Sequence, residues 1–218
     1  NWAYSIMGWV KDMDQMVTAK PYSAGFYDYE VQGNGAFGSA KGIDLTLENR
    51  GQLINAMIQY TYSVAKANEA FATEAFGGEN EDSPMQESLM DFDRTHDLTI
   101  TLYSFLPFGI NASLTGFYQS GFPYTPEVIL DQGAPQPDHL NPNSQRSSAY
   151  QTMNLSLSKD FEVLRHTIGF GVNIFNLFDK PYPIDIHRIT GNADYPGEYY
   201  DRTIGKFDGV SGSYYDRP

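Results

Sequence analysis

The apolar positions of this chain recur mostly every second residue. Between Tyr150 and Lys159, Met153, Leu155 and Leu157 alternate with Thr152, Asn154, Ser156 and Ser158, the signature of a strand with one apolar face. His166 to Asn176 repeats it, with Ile168, Phe170, Val172 and Ile174 against Thr167, Gly169, Gly171 and Asn173. Leu98, Ile100 and Leu102 oppose Asp97, Thr99 and Thr101, and Ile110, Ala112 and Leu114 oppose Asn111, Ser113 and Thr115. Ile54, Ala56, Ile58, Tyr60 and Tyr62 form a further set, as do Ile43, Leu45 and Leu47; Trp2, Tyr4, Ile6 and Val10 make a weaker seventh. The prolines lie outside these strand cores, where a missing N–H would break a ladder. The pattern predicts an all-β, antiparallel fold, in which Glu69 to Phe76 is the one stretch that could form a short helix, within its loop.

Connection lengths alternate. Asn49 to Gln52, Leu106 to Gly109 and Asp160 to Arg165 are turn-like, whereas Lys11 to Gly35, Ala67 to Phe92, Ser120 to Ser148 and the stretch after Phe178 are loops of roughly 25 to 40 residues, long for a compact domain. Long loops therefore leave one end of the sheet and short turns the other, the layout of an outer-membrane β-barrel. The polar positions are mainly Thr, Ser, Asn, Gln and Gly. They suit a lumen better than the Lys- and Glu-rich exterior of a soluble barrel, so the apolar face is expected to meet lipid. Tyr60, Tyr62, Tyr118, Phe122, Tyr124, Tyr150, Phe175 and Phe178 are expected to form an interfacial girdle at the long-loop ends.

Composition narrows the partners. The 218 residues carry 27 Asp plus Glu against 14 Lys plus Arg, a formal charge of -13, with no basic run, which argues against nucleic acid. Cysteine is absent, which excludes disulfides, thiolate metal sites and thiol nucleophiles. No apolar run reaches the length of a membrane-spanning helix. About seven strands is an odd number, and open edges cannot face lipid. The expectation is that residues 1–218 form one piece of a larger barrel.

Asn173-Ile174-Phe175-Asn176-Leu177-Phe178-Asp179-Lys180-Pro181-Tyr182 resembles the N-x-x-N-L-F-D-K-x-Y segment near the C-terminus of TonB-dependent outer-membrane receptors. Ala40-Lys41-Gly42-Ile43-Asp44-Leu45 is similar to that family's "small residue, x, G-[IV]-[ED]-L" strand, and Tyr60-Thr61-Tyr62-Ser63 to the strand after it. Asp93-Arg94-Thr95-His96 and Ser120-Gly121-Phe122-Pro123-Tyr124-Thr125-Pro126 resemble its strands in the same order. The resemblance implies the last third of a barrel of about 22 strands, without the plug domain, the TonB box or the last strand. It further implies the bacterial outer membrane, with bilayer and lipopolysaccharide around the wall. Import of a scarce ligand such as a metal chelate, vitamin or oligosaccharide would be driven by the TonB energy-coupling complex acting through the missing N-terminal part. The Phe175 to Pro183 stretch departs from the ending of the glycan importers that pair with a surface lipoprotein. A passive porin and a structural or adhesive barrel are the alternatives, with an outer-membrane hydrolase more distant.

Motifs for other chemistry weigh little. Gly33-Asn34-Gly35-Ala36-Phe37-Gly38 satisfies G-x-G-x-x-G, but a strand follows it where a dinucleotide site needs a helix; flexible loop glycines are expected instead. His96 and Asp97 fall on opposite faces of a strand and make no dyad, and His139, His166 and His187 have no metal-ligand spacing. No catalytic residue or cofactor site is predicted. Glu69, Glu74, Glu79, Glu81, Asp82, Glu87, Asp91 and Asp93 make one loop acidic; without EF-hand spacing, a solvated surface is favoured over a calcium-bridged loop. Tyr195, Tyr199, Tyr200, Tyr214 and Tyr215 are candidates for stacking on a ligand or for packing the loops together.

Overall fold

The computed structural model describes residues 1–68, 87–129, 134–198 and 215–216. Seven long strands make one sheet: β1 (Trp2–Ala24), β2 (Tyr27–Arg50), β3 (Ile54–Ala67), β4 (His96–Leu106), β5 (Ile110–Gln119), β6 (Tyr150–Val163) and β7 (His166–Ile174). Each pairs antiparallel with its neighbour in sequence, so the sheet is a meander whose edges are β1 and β7. A two-residue strand, Ser88–Leu89, adds to the end of β3 at Lys66 and Ala67. Among the described residues no helix is long and apolar enough to cross a membrane, a statement that does not bear on strands.

From β2 to β7 register carries the period-two pattern across the sheet without a slip. On one face, Tyr4, Leu47, Ile58, Ile100, Gly116 and Met153 form a row, and Ala56, Leu102, Leu114, Leu155 and Ile174 form the next. On the other, Thr46, Gln59, Thr99, Phe117 and Thr152 align, as do Met57, Thr101, Thr115 and Asn154. A one-residue shift in any pair would have interleaved the two sets.

Burial runs against the pattern of a soluble sheet. In β2, Ile43, Leu45 and Leu47 are exposed while Gly42, Asp44, Thr46 and Glu48 between them are partly covered. Tyr4 is 82% exposed and Phe170 65%, and no large side chain among the described residues is fully buried. With no described residue layered over the apolar face, the sheet gains nothing from it in water, and hydrocarbon is the medium in which that face is satisfied.

The expected loop from Lys11 to Gly35 is instead strand. β1 and β2 pair from Trp2 and Asn49 out to Ala24 and Tyr27, with register shifts between Met13 and Val17. Asp14 accepts a 2.9 Å bond from the Gln15 amide there, and Gln15 adopts φ 54°, as an unpaired bulge residue does. Because β3 pairs β2 only from Gly38 to Arg50, the rest of this hairpin projects beyond β3 on the long-loop side. The glycines of the G-x-G-x-x-G match thus lie in a strand, not in a flexible loop, and Pro21 lies in β1, on the sheet's edge strand, where its missing N–H is tolerated. An antiparallel ladder between adjacent strands outweighs the weak strand propensity of Asp12 to Gln15 and Gly33 to Gly35. The β6–β7 link is also shorter than expected: β6 continues to Val163, leaving only Leu164 and Arg165 in the turn.

Candidate functional site

Above the long-loop ends of β3, β4 and β5, a polar collar ties two connections together. Its centre is Asp93, 2% exposed. The Asp93 carboxylate accepts bonds from the Ala65 amide at 2.7 Å, the Thr95 hydroxyl at 2.9 Å and Arg146 Nη2 at 2.5 Å. Arg146 also donates to Thr95 Oγ1 at 2.6 Å and, through Nη1, to the Gly121 carbonyl at 3.0 Å and the Asp93 carbonyl at 3.3 Å. A guanidinium with five donors on a planar fork is suited to gathering acceptors from separate segments in this way. Asn143, 4% exposed, adds a second tie by donating to Leu89 O at 2.7 Å and Asp91 Oδ1 at 2.6 Å. The connection after β3 and the one between β5 and β6 are therefore held to each other and to the sheet.

Arg94 performs a related task for the segment after β7. It donates to Ser120 O at 2.6 Å and to the Tyr182 hydroxyl at 3.3 Å, and its guanidinium lies 3.2 Å above the Phe122 ring centre, a cation–π arrangement. Tyr182 packs edge-on against Tyr150, ring centres 5.0 Å apart. Gly121 explains the spacing of the Ser120 to Tyr124 motif: a Cβ there would collide with the Ser147 carbonyl, so only glycine lets the two segments pair as Pro123 and Arg146 do. Gly42 answers a similar demand within the sheet, where a Cβ would lie 2.6 Å from the Trp9 ring.

The Asn176 to Lys180 motif is a clamped turn. Asn176 Oδ1 accepts the Lys180 amide at 3.0 Å and its Nδ2 donates to the Lys180 carbonyl at 3.1 Å. Asn176 and Asp179 have φ of 48° and 46°, a region that Asn and Asp tolerate better than other side chains. The Leu177 amide returns to Met153 O at 2.7 Å.

Over the collar lies a cleft of about 350 Å³, lined by Phe122, Tyr124, Asn143, Pro183, Asp185 and Arg188 among others. Burial raises the Tyr124 phenol above its ordinary value of 10.0, because the phenolate would lose solvation. The cleft is thus lined by aromatic faces, a neutral hydroxyl, carboxylates and a guanidinium.

Below the collar, the register gathers carboxylates that lie far apart in sequence. Asp44, Thr61, Asp97 and Gln119 align across four strands on the polar face. Thr61 donates to Asp44 at 2.7 Å and Gln119 to Asp97 at 2.7 Å. Sequence reasoning missed this row, since only strand order and register place Asp44 and Asp97 on either side of Thr61; the signal available was Asp at a polar position in two strands of the meander.

Of the residues singled out in the sequence, Asp93 and Arg94 belong to the collar. His96 falls on the apolar face, its Nδ1 2.8 Å from the Tyr60 hydroxyl, whereas Asp97 faces the polar side. The expected aromatic girdle divides by parity. Tyr60, Tyr62 and Tyr118 lie in apolar-face rows, Tyr150 aligns with Gln119 on the polar face, and Phe122 and Tyr124 serve the collar and the cleft. Phe175 and Phe178 are each 70% exposed. Glu69, Glu74, Glu79, Glu81 and Asp82, the expected helix over Glu69 to Phe76, and Tyr199, Tyr200 and Tyr214 lie outside the described residues. Of that acidic loop, Asp91 and Asp93 are engaged in the collar.

No protein-family model matches the sequence, and no curated protein matches it. The fold is similar to that in the crystal structure of the outer membrane transporter YddB from Escherichia coli, with a TM-score of 0.61 and 12% identity over 85% of this chain. The chain spans 28% of the length of that structure. At this identity the likeness shows the fold: the meander is a segment of a transmembrane β-barrel wall.

Proposed function

We propose that this chain forms part of the wall and outer mouth of a bacterial outer-membrane transporter of the TonB-dependent kind, importing a scarce ligand that external loops capture. The observation that carries the reading is the collar, which fixes two external connections above a polar barrel face and under a cleft. A passive pore has no evident need to hold its loops in register by a buried Asp93–Arg146 pair. The polar face supports a class of solute as well. Asp44 and Asp97 give it a negative row amid hydroxyls and amides, which favours neutral or cationic ligands over anions. Energy coupling, plug movement and contact with the inner-membrane complex belong to this proposal through the family resemblance.

Planar-bilayer conductance of the full-length protein in KCl separates the two transport readings. A plugged, energised transporter stays closed to K⁺ and Cl⁻ and takes up its ligand only while the inner membrane is energised. A stable open channel in the untreated protein would instead establish the passive porin. Deleting residues 134–142 from the β5–β6 connection is expected to abolish uptake while leaving surface assembly intact; uptake that survived the deletion would remove the cleft from the pathway.

A further inference from the structure

On the apolar face, close to the long-loop end, the wall is not flat. A groove of about 380 Å³ runs between Leu98, Ile100 and Met153 and is bounded by Phe178 and Lys180. Its floor is Gly116, which is buried, and a Cβ added there would meet only the Met153 methyl, at 3.5 Å. The groove exists because one position in an otherwise Leu- and Ile-rich row carries no side chain.

The two ends of the groove differ chemically. Most of the lining is hydrocarbon, but Lys180 Nζ stands at the loop side and donates to the neutral Gln151 Oε1 at 2.7 Å. The ion pairs among the described residues are Arg50 with Glu48 and Arg146 with Asp93, so Lys180 is paired with no described carboxylate. That is notable in a chain with a formal charge of -13. The Lys180 backbone is anchored at the groove's end, because its N–H and carbonyl are both held by the buried Asn176 amide. An apolar slot that opens on the lipid-facing surface and ends in a positioned cation matches one kind of partner, an acyl chain joined to an anionic head group.

We propose that this groove binds one acyl chain of the phosphorylated glycolipid of the outer leaflet, with Lys180 taking a phosphate oxygen. The site faces the loop-side leaflet, where that lipid resides if the long loops are external, so the inference rests on the reading of the chain as an outer-membrane wall. The groove opens on the apolar face, so an acyl chain enters it sideways from the bilayer. A lipid seated there would also brace the Asn176 to Lys180 turn, and through Tyr182 the collar itself.

The test is native mass spectrometry of the full-length protein in detergent, titrated with lipid A bisphosphate, with the same lipid dephosphorylated, and with phosphatidylglycerol. One lipid A per chain is expected to persist, dephosphorylation weakening it roughly tenfold, the size of one lost charge-assisted bond. Lys180→Gln should match that loss with the phosphorylated lipid, and Gly116→Leu, which fills the groove with a lipid-compatible side chain, should lower retention by at least as much. Equal retention of the phosphorylated and dephosphorylated lipids, or of phosphatidylglycerol, would overturn the proposal without any variant. Undiminished binding to both variants would do so as well. Heat-modifiable migration of the same samples reports barrel formation separately. A folded barrel that holds no lipid A refutes the groove alone, whereas a chain that never forms a membrane-inserted barrel refutes the wall.

Discussion

Asp93 illustrates how much a single carboxylate holds in this molecule. It is almost fully buried and takes three donors from three different places, Ala65, Thr95 and Arg146. Asp93→Ala leaves the Ala65 amide without its acceptor and the Arg146 guanidinium without its counter-charge. Because Arg146 keeps partial solvent access and its carbonyl partners, the expected cost is on the order of 2–4 kcal/mol, at the lower end for a broken buried pair. A lowered urea midpoint of the full-length protein in detergent would report it. Asp93→Asn, which keeps one acceptor oxygen, should lose less; equal losses would mean that packing, not hydrogen bonding, sets the cost. The motif Asp93-Arg94-Thr95-His96 was visible in the sequence, but the partner of Asp93 lies 53 residues away, and no local rule joins them.

Among the elements, the β6–β7 hairpin carries a local conflict. Its turn consists of Leu164 and Arg165, with φ of 48° and 71°, between the paired residues Val163 and His166. Both central positions of such a two-residue turn demand positive φ, which Asn and Gly supply and Leu resists. Replacing the pair with Asn-Gly is expected to stabilise the hairpin by about 1–2 kcal/mol, read as a higher urea midpoint at unchanged slope. A neutral or negative change would show that the exposed Leu164 side chain contributes a contact that outweighs the strain. The long β1–β2 hairpin teaches the reverse lesson. There the local sequence is poor strand, and a long ladder imposes the structure.

At the scale of the whole molecule, the apolar face of the sheet is the one that meets lipid. Leu155 lies in the row Ala56, Leu102, Leu114, Leu155 and Ile174, while its neighbour Ser156 faces Ser113 and Asn173 on the polar side. Leu155→Arg in the full-length protein is expected to destabilise the barrel in vesicles by about 2–4 kcal/mol, as a charge near the bilayer midplane does. Ser156→Arg should cost less than about 1 kcal/mol, since a lumen position stays hydrated. The comparison is made by urea-dependent folding into phosphatidylcholine vesicles. Similar costs for the two variants would mean that Leu155 does not meet hydrocarbon.

By itself the sequence determined the strands and their faces wherever apolar positions alternate, though not the strand from Lys11 to Gly35, because side-chain period in a strand is a local property that alternation of Leu, Ile and Val with Thr, Ser and Asn records directly. It also placed the short turns within a few residues and singled out the motifs at Asp93, Ser120 and Asn176. Only the tertiary structure decided which of those residues meet. The Asp93–Arg146 bond, the Asp44 and Asp97 row, the division of the aromatics between faces and the groove over Gly116 all depend on register between strands and on the path of long connections. These are set by the sum of many pairings spread over the sheet, and no single stretch of sequence contains that sum.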